Sequence, residues 1–218
     1  MLSSRYLMIE RYRHISFDLD GTLVETAAAY RYKIVPRIIR EIGGPEPTQT
    51  SIDKFWFGSN RDVMITQEFG VAPEKFWERF AMHDSTEERM AHTQAFQDAE
   101  TTIRRLKELG KMVTVITGSP EWIAKMEIDK LNGAPIDHVF AIHGSQCPRK
   151  PAPDSMHVVL KQIESVPQET LYIGNALEDA HFAKNAGCDF YRVDRGDYAE
   201  PEFIASFPAL ASLEDLFK

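Results

Sequence analysis

Two carboxylates one residue apart, Asp18 and Asp20, follow the apolar run His14–Phe17 and precede Gly21, Thr22 and Leu23. Carboxylates at the end of an apolar strand are costly unless something binds them. An Asp-x-Asp turn admits three chemistries. It can hold calcium, but an EF-hand loop needs glycine at its sixth position, where Leu23 stands. It can be a plain turn whose Asp side chains bond their own backbone. Or one carboxylate attacks phosphorus while its neighbour shuttles a proton and a metal holds the phosphate.

Three later segments carry matching chemistry. Thr117-Gly118-Ser119-Pro120 follows the apolar run Met112–Ile116. A hydroxyl, an unencumbered glycine backbone and a helix start after proline can form an anion site; Thr117 can equally be a simple helix cap. Lys150, in Arg149-Lys150-Pro151-Ala152-Pro153-Asp154, can neutralise clustered carboxylates and a phosphate, or can be an exposed loop lysine. Gly174-Asn175-Ala176-Leu177-Glu178-Asp179 supplies oxygen donors of the kind a hard cation takes. The alternative there is an ordinary acidic helix N-terminus.

The elements that must position these groups are legible as apolar runs. His14–Phe17, Met112–Ile116, His138–Ile142, Thr170–Ile173 and Asp189–Val193 read as strands, each followed by a turn and a helical pattern. That alternation predicts an α/β fold with a parallel sheet covered on both faces, and ligands at the carboxyl ends of its strands. Between Asp20 and Met112 only helical patterns are expected. Ile34, Val35, Ile38, Ile39 and Ile42 make one stripe ending at Gly43-Gly44, with Pro36 predicting a kink or a later start. Phe76, Trp77 and Phe80 fit a second helix; Ala99, Ile103, Leu106 and Leu109 fit a third. The expected division is a core of residues 1–24 and 98–218 with a helical insertion at 25–97.

Composition narrows the partners. The chain has 218 residues, 43% hydrophobic and 27% charged, which suits one globular α/β unit with a modest insertion. A net charge of −8 without a Lys/Arg stripe argues against nucleic acid. No apolar run approaches the roughly 18 residues of a membrane span, and the first 13 residues lack a signal-like apolar segment. The two cysteines, Cys147 and Cys188, have neither a disulfide framework nor zinc spacing; a reducing cytoplasm is the expected compartment. They read as small apolar groups, and His14, His143 and His181 as packing or surface residues.

Taken together, DLDGTL at 18–23, TGSP at 117–120, KPAPD at 150–154 and GNALEDAHFAKNAG at 174–187 resemble the four motifs of the haloacid dehalogenase (HAD) superfamily, in its phosphoglycolate phosphatase-like branch. The resemblance covers nearly the whole chain. It implies a Rossmann-like, doubly wound core with an inserted α-helical cap. It further implies a magnesium-dependent phosphatase acting on a small phosphorylated metabolite, phosphoglycolate-like or a sugar phosphate. Asp18 would form an aspartyl-phosphate, and Asp20 would serve as acid and then base. Thr117 and the Gly118 N–H would hold phosphoryl oxygens, with Thr22 also at the substrate, and Lys150 would offset negative charge. Mg²⁺ would be held by Asp18, the Asp20 carbonyl, Asn175 and, through water, Asp179, with Glu178 as an alternative.

Two positions depart from the family pattern. Asn175 stands where the fourth motif usually has Asp, removing one charge from the metal site. Arg149 precedes the lysine where Gly is common, and reads as a second cation near the phosphate or a solvent-facing side chain. In the insertion, Arg61 after Gly58-Ser59-Asn60 is the candidate grip on a carboxylate or second phosphate, or a solvated first-turn arginine. Phe55, Trp56, Phe57, Phe76, Trp77 and Phe80 read as the insertion's own core. A phosphosugar mutase of β-phosphoglucomutase type and a non-catalytic binding protein of the same fold are the competing readings. Monomer and homodimer are not distinguished.

Overall fold

The computed structural model describes residues 9–143, 145–207 and 209–218. Most of the N-terminal stretch read above lies outside the described residues.

In chain order the strands are β1 (His14–Phe17), β2 (Val24–Thr26), β3 (Thr93–Ala95), β4 (Met112–Pro120), β5 (His138–His143), β6 (Thr170–Gly174), β7 (Asp189–Val193) and β8 (Ala209–Leu210). Six of them form one sheet in the order β5-β4-β1-β6-β7-β8, and every pairing in it is parallel. The order reverses at β1: β4 and β5 extend one way, β6 to β8 the other. Such a reversal opens a crevice at the carboxyl ends of the strands.

Alternation along β1 separates two faces. Ile15 and Phe17 point to a core shared with Val113, Val115, Leu171 and Ile173. The helices packed there are α6 (Ala99–Glu108) and α7 (Glu121–Asp129). On the opposite face, α8 (Asp154–Gln162) and α9 (Leu177–Ala186) bury Met156, Val159, Leu160 and Phe182 against Ile116 and Tyr172. Both faces are covered, as the near-continuous apolar strands require.

The other helices lie between β2 and β3: α1 (Ala28–Glu41), α2 (Gln49–Phe57), α3 (Arg61–Phe69), α4 (Pro73–His83) and α5 (Thr86–His92). They have a separate apolar cluster, in which Phe55, Trp56 and Phe76 are buried with Ile34, Val35, Ile38 and Ile39, and Phe57, Trp77 and Phe80 are packed against it. One expectation fails here. The segment is not purely helical, because β2 and β3 pair antiparallel with Thr26 opposite Thr93 and Val24 opposite Ala95. Three-residue strands carry too little alternation to register in sequence. Helix α1 also begins at Ala28, well before Pro36, and runs through it, so the later start is not realised. Its buried Ile34, Val35, Ile38 and Ile39 compensate for the missing N–H. The Gly43 turn with φ +76° follows it, as expected. After α9 come β7, the short α10 (Pro201–Ser206) and β8, a sixth sheet strand that the apolar runs did not indicate. Among the described residues no helix is long and apolar enough to cross a membrane.

On the α8/α9 face, His14 is fully buried. Its ring nitrogens lie 3.1 Å from Thr170 Oγ1 and 2.8 Å from Thr114 Oγ1, and Thr114 donates to Ser16 at 3.0 Å. Burial lowers its pKa from 6.5 to about 4, so the folded state keeps the ring neutral. The unfolded chain takes up a proton below 6.5, so this stabilisation is complete above 6.5 and is lost as pH falls toward 4. The full effect is on the order of 3 kcal/mol. Asp18, raised to about 7, and Asp197, raised to about 6, act in the opposite sense over much of that range. The His14 component is therefore read as a difference. Urea denaturation of wild type and His14→Gln at pH 7 and pH 4.5 should show the stability gap between them shrinking toward acid.

Candidate active site

The first motif is a tight turn at the end of the central strand. The Asp18 N–H donates to the Ile173 carbonyl at 2.8 Å, tying the end of β1 to β6. The Leu19 carbonyl then accepts from the N–H groups of Thr22, Leu23 and Val24, while Gly21 N–H donates to Val24 O at 2.7 Å. Leu19 and Leu23 are fully buried, which anchors the loop. Gly21 has φ +82°, and a Cβ there would lie 2.1 Å from the Asn175 amide nitrogen. Glycine is thus required both by conformation and by the close approach of the fourth motif.

Lys150 binds the motifs together. Its Nζ lies 2.7 Å from Asp18 Oδ1, 2.9 Å from Asp179 Oδ1 and 2.5 Å from the Tyr172 hydroxyl. All four residues are buried. Tyr172 in turn donates to the Ile116 carbonyl at 3.1 Å, on β4. Burial works against the Lys150 ammonium, but Asp179 and then Asp18 outweigh it, and its pKa stands well above a free lysine's. Burial raises Asp18 to about 7, with Lys150 opposing and Asp179 reinforcing the rise. Asp18 Oδ2 accepts no hydrogen bond among the described residues.

The other expected residues fall around this pair. Thr117 is buried within β4, where the pairing with β5 begins to shift register, and accepts the Ser119 N–H at 3.1 Å, while Gly118 has open space where a Cβ would stand. Asp20 is half-buried, and burial raises its carboxyl against the pull of Arg89, Arg61 and Arg31. Glu178 is half-buried and raised by burial and by Asp179. Arg61 is exposed and donates to the Trp56 carbonyl at 3.3 Å. Its charge reaches both Asp20 and Glu178. Arg149 is exposed, which favours the solvent reading.

Two further residues have partners inside the protein. Thr22, expected at the substrate, is fully buried, and its hydroxyl donates to Asn175 Oδ1 at 3.3 Å; it orients the amide. Asp179, expected beside the metal, has Oδ1 on Lys150 and Oδ2 on the Ala176 N–H at 3.1 Å. It positions the lysine.

The groups that would hold a cation are the Asp18 carboxylate, the Asp20 carbonyl and the Asn175 side-chain carbonyl. These are hard oxygens of the kind magnesium takes. Among the described residues no three His, Cys, Asp or Glu side chains converge on a metal position.

Several residues of the site had no assigned role in the sequence reading. Tyr172 looked like one more apolar strand residue. Arg31, Arg89 and Asp197 lie outside the four motifs, and no spacing signal marks them.

A model of the haloacid dehalogenase-like hydrolase family matches residues 15–193. The phosphoglycolate phosphatase of Vibrio cholerae is 26% identical over 213 residues, covering 88% of this chain and 91% of that protein. A haloacid dehalogenase-like hydrolase from Bacteroides fragilis has the same fold, with a TM-score of 0.80 at 20% identity over 94% of this chain and 99% of the other. A HAD family hydrolase from Deinococcus radiodurans, crystallised with bound phosphate and sodium, gives 0.73 at 18% identity over 95% and 94% of the two chains.

Steric contact within the fourth motif can be tested directly. A Cβ on Gly174 would fall 2.5 Å from the Asp179 carboxylate, whereas one on Gly118 meets nothing within 4 Å. Gly174→Ala should therefore cost about 1–3 kcal/mol in chemical denaturation, and Gly118→Ala about 1 kcal/mol or less.

Proposed function

Because the chain belongs to the haloacid dehalogenase-like hydrolase family, we propose that it is a magnesium-dependent phosphatase that hydrolyses a small phosphorylated metabolite through an aspartyl-phosphate. The observation that carries this reading is the buried Lys150 held between Asp18 and Asp179, which leaves Asp18 Oδ2 without a partner at the mouth of the parallel sheet. The phosphoglycolate phosphatase relative and the phosphate-bound neighbour support the same substrate chemistry.

Phosphoryl transfer depends on positioning and on charge stabilisation. Asp18 Oδ2 attacks phosphorus, a new O–P bond forms, and the bond to the leaving oxygen breaks. Asp20, with its raised carboxyl, gives that oxygen its proton. In the second step Asp20 takes a proton from water, the water oxygen attacks phosphorus, and Asp18 is released as carboxylate. Thr117 and the Gly118 N–H hold phosphoryl oxygens. Lys150 fixes the other Asp18 oxygen and offsets the crowding of negative charge. Arg61 meets the phosphate's charge from the helical side. Asp18, the Asp20 carbonyl and Asn175 would hold magnesium, which would supply Lewis-acid stabilisation of the phosphoryl oxygens.

Residues 25–97 are proposed to act as a cap that excludes water, turning on the β2–β3 pair. Cys147 and Cys188 are both free, in keeping with the cytoplasmic setting proposed.

Two experiments test the reading. Asp18→Asn should lower turnover of a phosphomonoester panel by at least about a thousandfold with the fold retained; undiminished hydrolysis would exclude Asp18 as nucleophile. Asn175→Asp adds a charged oxygen to the cation's donor set, so the Mg²⁺ concentration for half-maximal activity should fall several-fold. An unchanged Mg²⁺ dependence would remove Asn175 from the metal site.

A further inference from the structure

The leaving group's body must lie beyond Asp20, since that residue protonates the oxygen on which the body departs. A narrow crevice begins there, bounded by Asp20, Glu25, Arg31, Trp56, Phe57 and Asp197. Its walls come from three places: the β2 linker supplies Glu25, helices α1 and α2 supply Arg31, Trp56 and Phe57, and the loop after β7 supplies Asp197.

Arg31 is buried and rigidly held. Its Nε donates to Asp53 at 2.7 Å, and its guanidinium lies 4.8 Å from the Phe57 ring centroid and 4.9 Å from that of Tyr32. Its terminal nitrogens make no hydrogen bond among the described residues. Asp197 is half-buried and likewise accepts no hydrogen bond from a described residue. Burial pushes its carboxyl up to about 6 in spite of Arg31, with Glu25, Asp20 and Asp53 adding to the rise. Glu25 accepts from Gln94, a neutral donor that cancels none of its charge.

One guanidinium therefore faces Asp53, Asp197 and Glu25. The recess carries an excess of negative charge in a partly desolvated place, and a further carboxylate entering it would be repelled. A hydroxyl group fits both sets of unused groups. It donates to Asp197 or Glu25 and accepts from the Arg31 terminal N–H, while Trp56 and Phe57 cover the C–H surface.

We propose that Asp197 and Arg31 determine specificity, reading the uncharged, hydroxyl-bearing body of a polyol or sugar phosphate and disfavouring leaving groups that end in a free carboxylate. This rests on the phosphatase reading above for the placement of the leaving group. It separates the chain from what the name of its Vibrio cholerae relative would suggest.

Affinity and turnover test the two ideas separately. Calorimetry on the full-length Asp18→Asn protein with Mg²⁺ measures binding without hydrolysis. The probes are glycerol 3-phosphate, glucose 6-phosphate, 2-phosphoglycolate and phosphoethanolamine. One of the two hydroxylated esters should bind about tenfold or more tighter than 2-phosphoglycolate. Adding Asp197→Asn should weaken that ester by about tenfold and narrow the gap. Glu25→Gln, at a half-exposed position, is a second variant that should move the ratio in the same direction. The proposal is overturned if 2-phosphoglycolate or phosphoethanolamine binds tightest, if no probe binds, or if neither variant changes the ratio. Turnover by the unmutated chain is scored apart: failure to hydrolyse any ester would overturn the phosphatase reading, while the affinity order still judges the recess.

Discussion

A buried ammonium surrounded by carboxylates is the constraint on which the site is organised. Lys150 is 4% exposed at its side chain and Asp179 2%, so neither could stay charged without the other. Removing one member of such a set strands the remaining charge in a low-dielectric place, which costs several kcal/mol. The arrangement therefore fixes far more than one contact. Lys150 comes from the loop after β5, Asp18 from the end of β1, Tyr172 from β6 and Asp179 from the start of α9. Satisfying a single cation brings three distant segments of the chain together.

The same constraint explains the small residues around it. Gly174 leaves room for the Asp179 carboxylate to turn back toward the lysine, and Gly21 lets the Asn175 amide lie against the first-motif turn. Thr22 then orients that amide by its hydroxyl. Arg195 holds the turn from below, donating to the Thr22 carbonyl at 2.7 Å while paired with both oxygens of Asp98. The loop bearing Asp18 and Asp20 is thus held at both ends before any ligand arrives. Such preorganisation is what charge stabilisation at a reacting centre requires.

The five core strands were legible because each contains an apolar-rich run of four or five residues bounded by turn residues, and the parallel sheet followed from their alternation with helices. Asp18, Asp20, Thr117 and Lys150 were legible because strand ends in such a sheet concentrate ligand chemistry. What escaped depends on pairing at a distance. The β2–β3 pair is stabilised by two linkers 67 residues apart, as at Thr26 and Thr93, and nothing local announces it. The partners of Thr22 and Asp179 were not legible for a related reason. A motif specifies which residues are present, but only the folded turn decides which oxygen faces the crevice and which is absorbed by a neighbour. Arg31 and Asp197 belong to no motif; what makes them notable is that they retain unused polar groups beside Asp20.

The helical segment also reaches the site electrostatically. Arg89 lies in α5 just before β3, buried over the rings of Tyr30 and Trp56. It donates to Asp84, and it is the strongest attractive charge on Asp20. Across the core, Glu127 of α7 is fully buried, with both carboxylate oxygens unpartnered among the described residues and the Arg89 guanidinium 3.9 Å away. Burial and the nearby Asp20 raise its pKa well above that of a free carboxyl, with Arg89 opposing the rise. Arg89 is thus flanked by Asp84 and Glu127 and acts on Asp20. A cation on the helical segment and a carboxylate on the core attract each other across the β2–β3 linkers, and any rotation of one body against the other changes the field at Asp20.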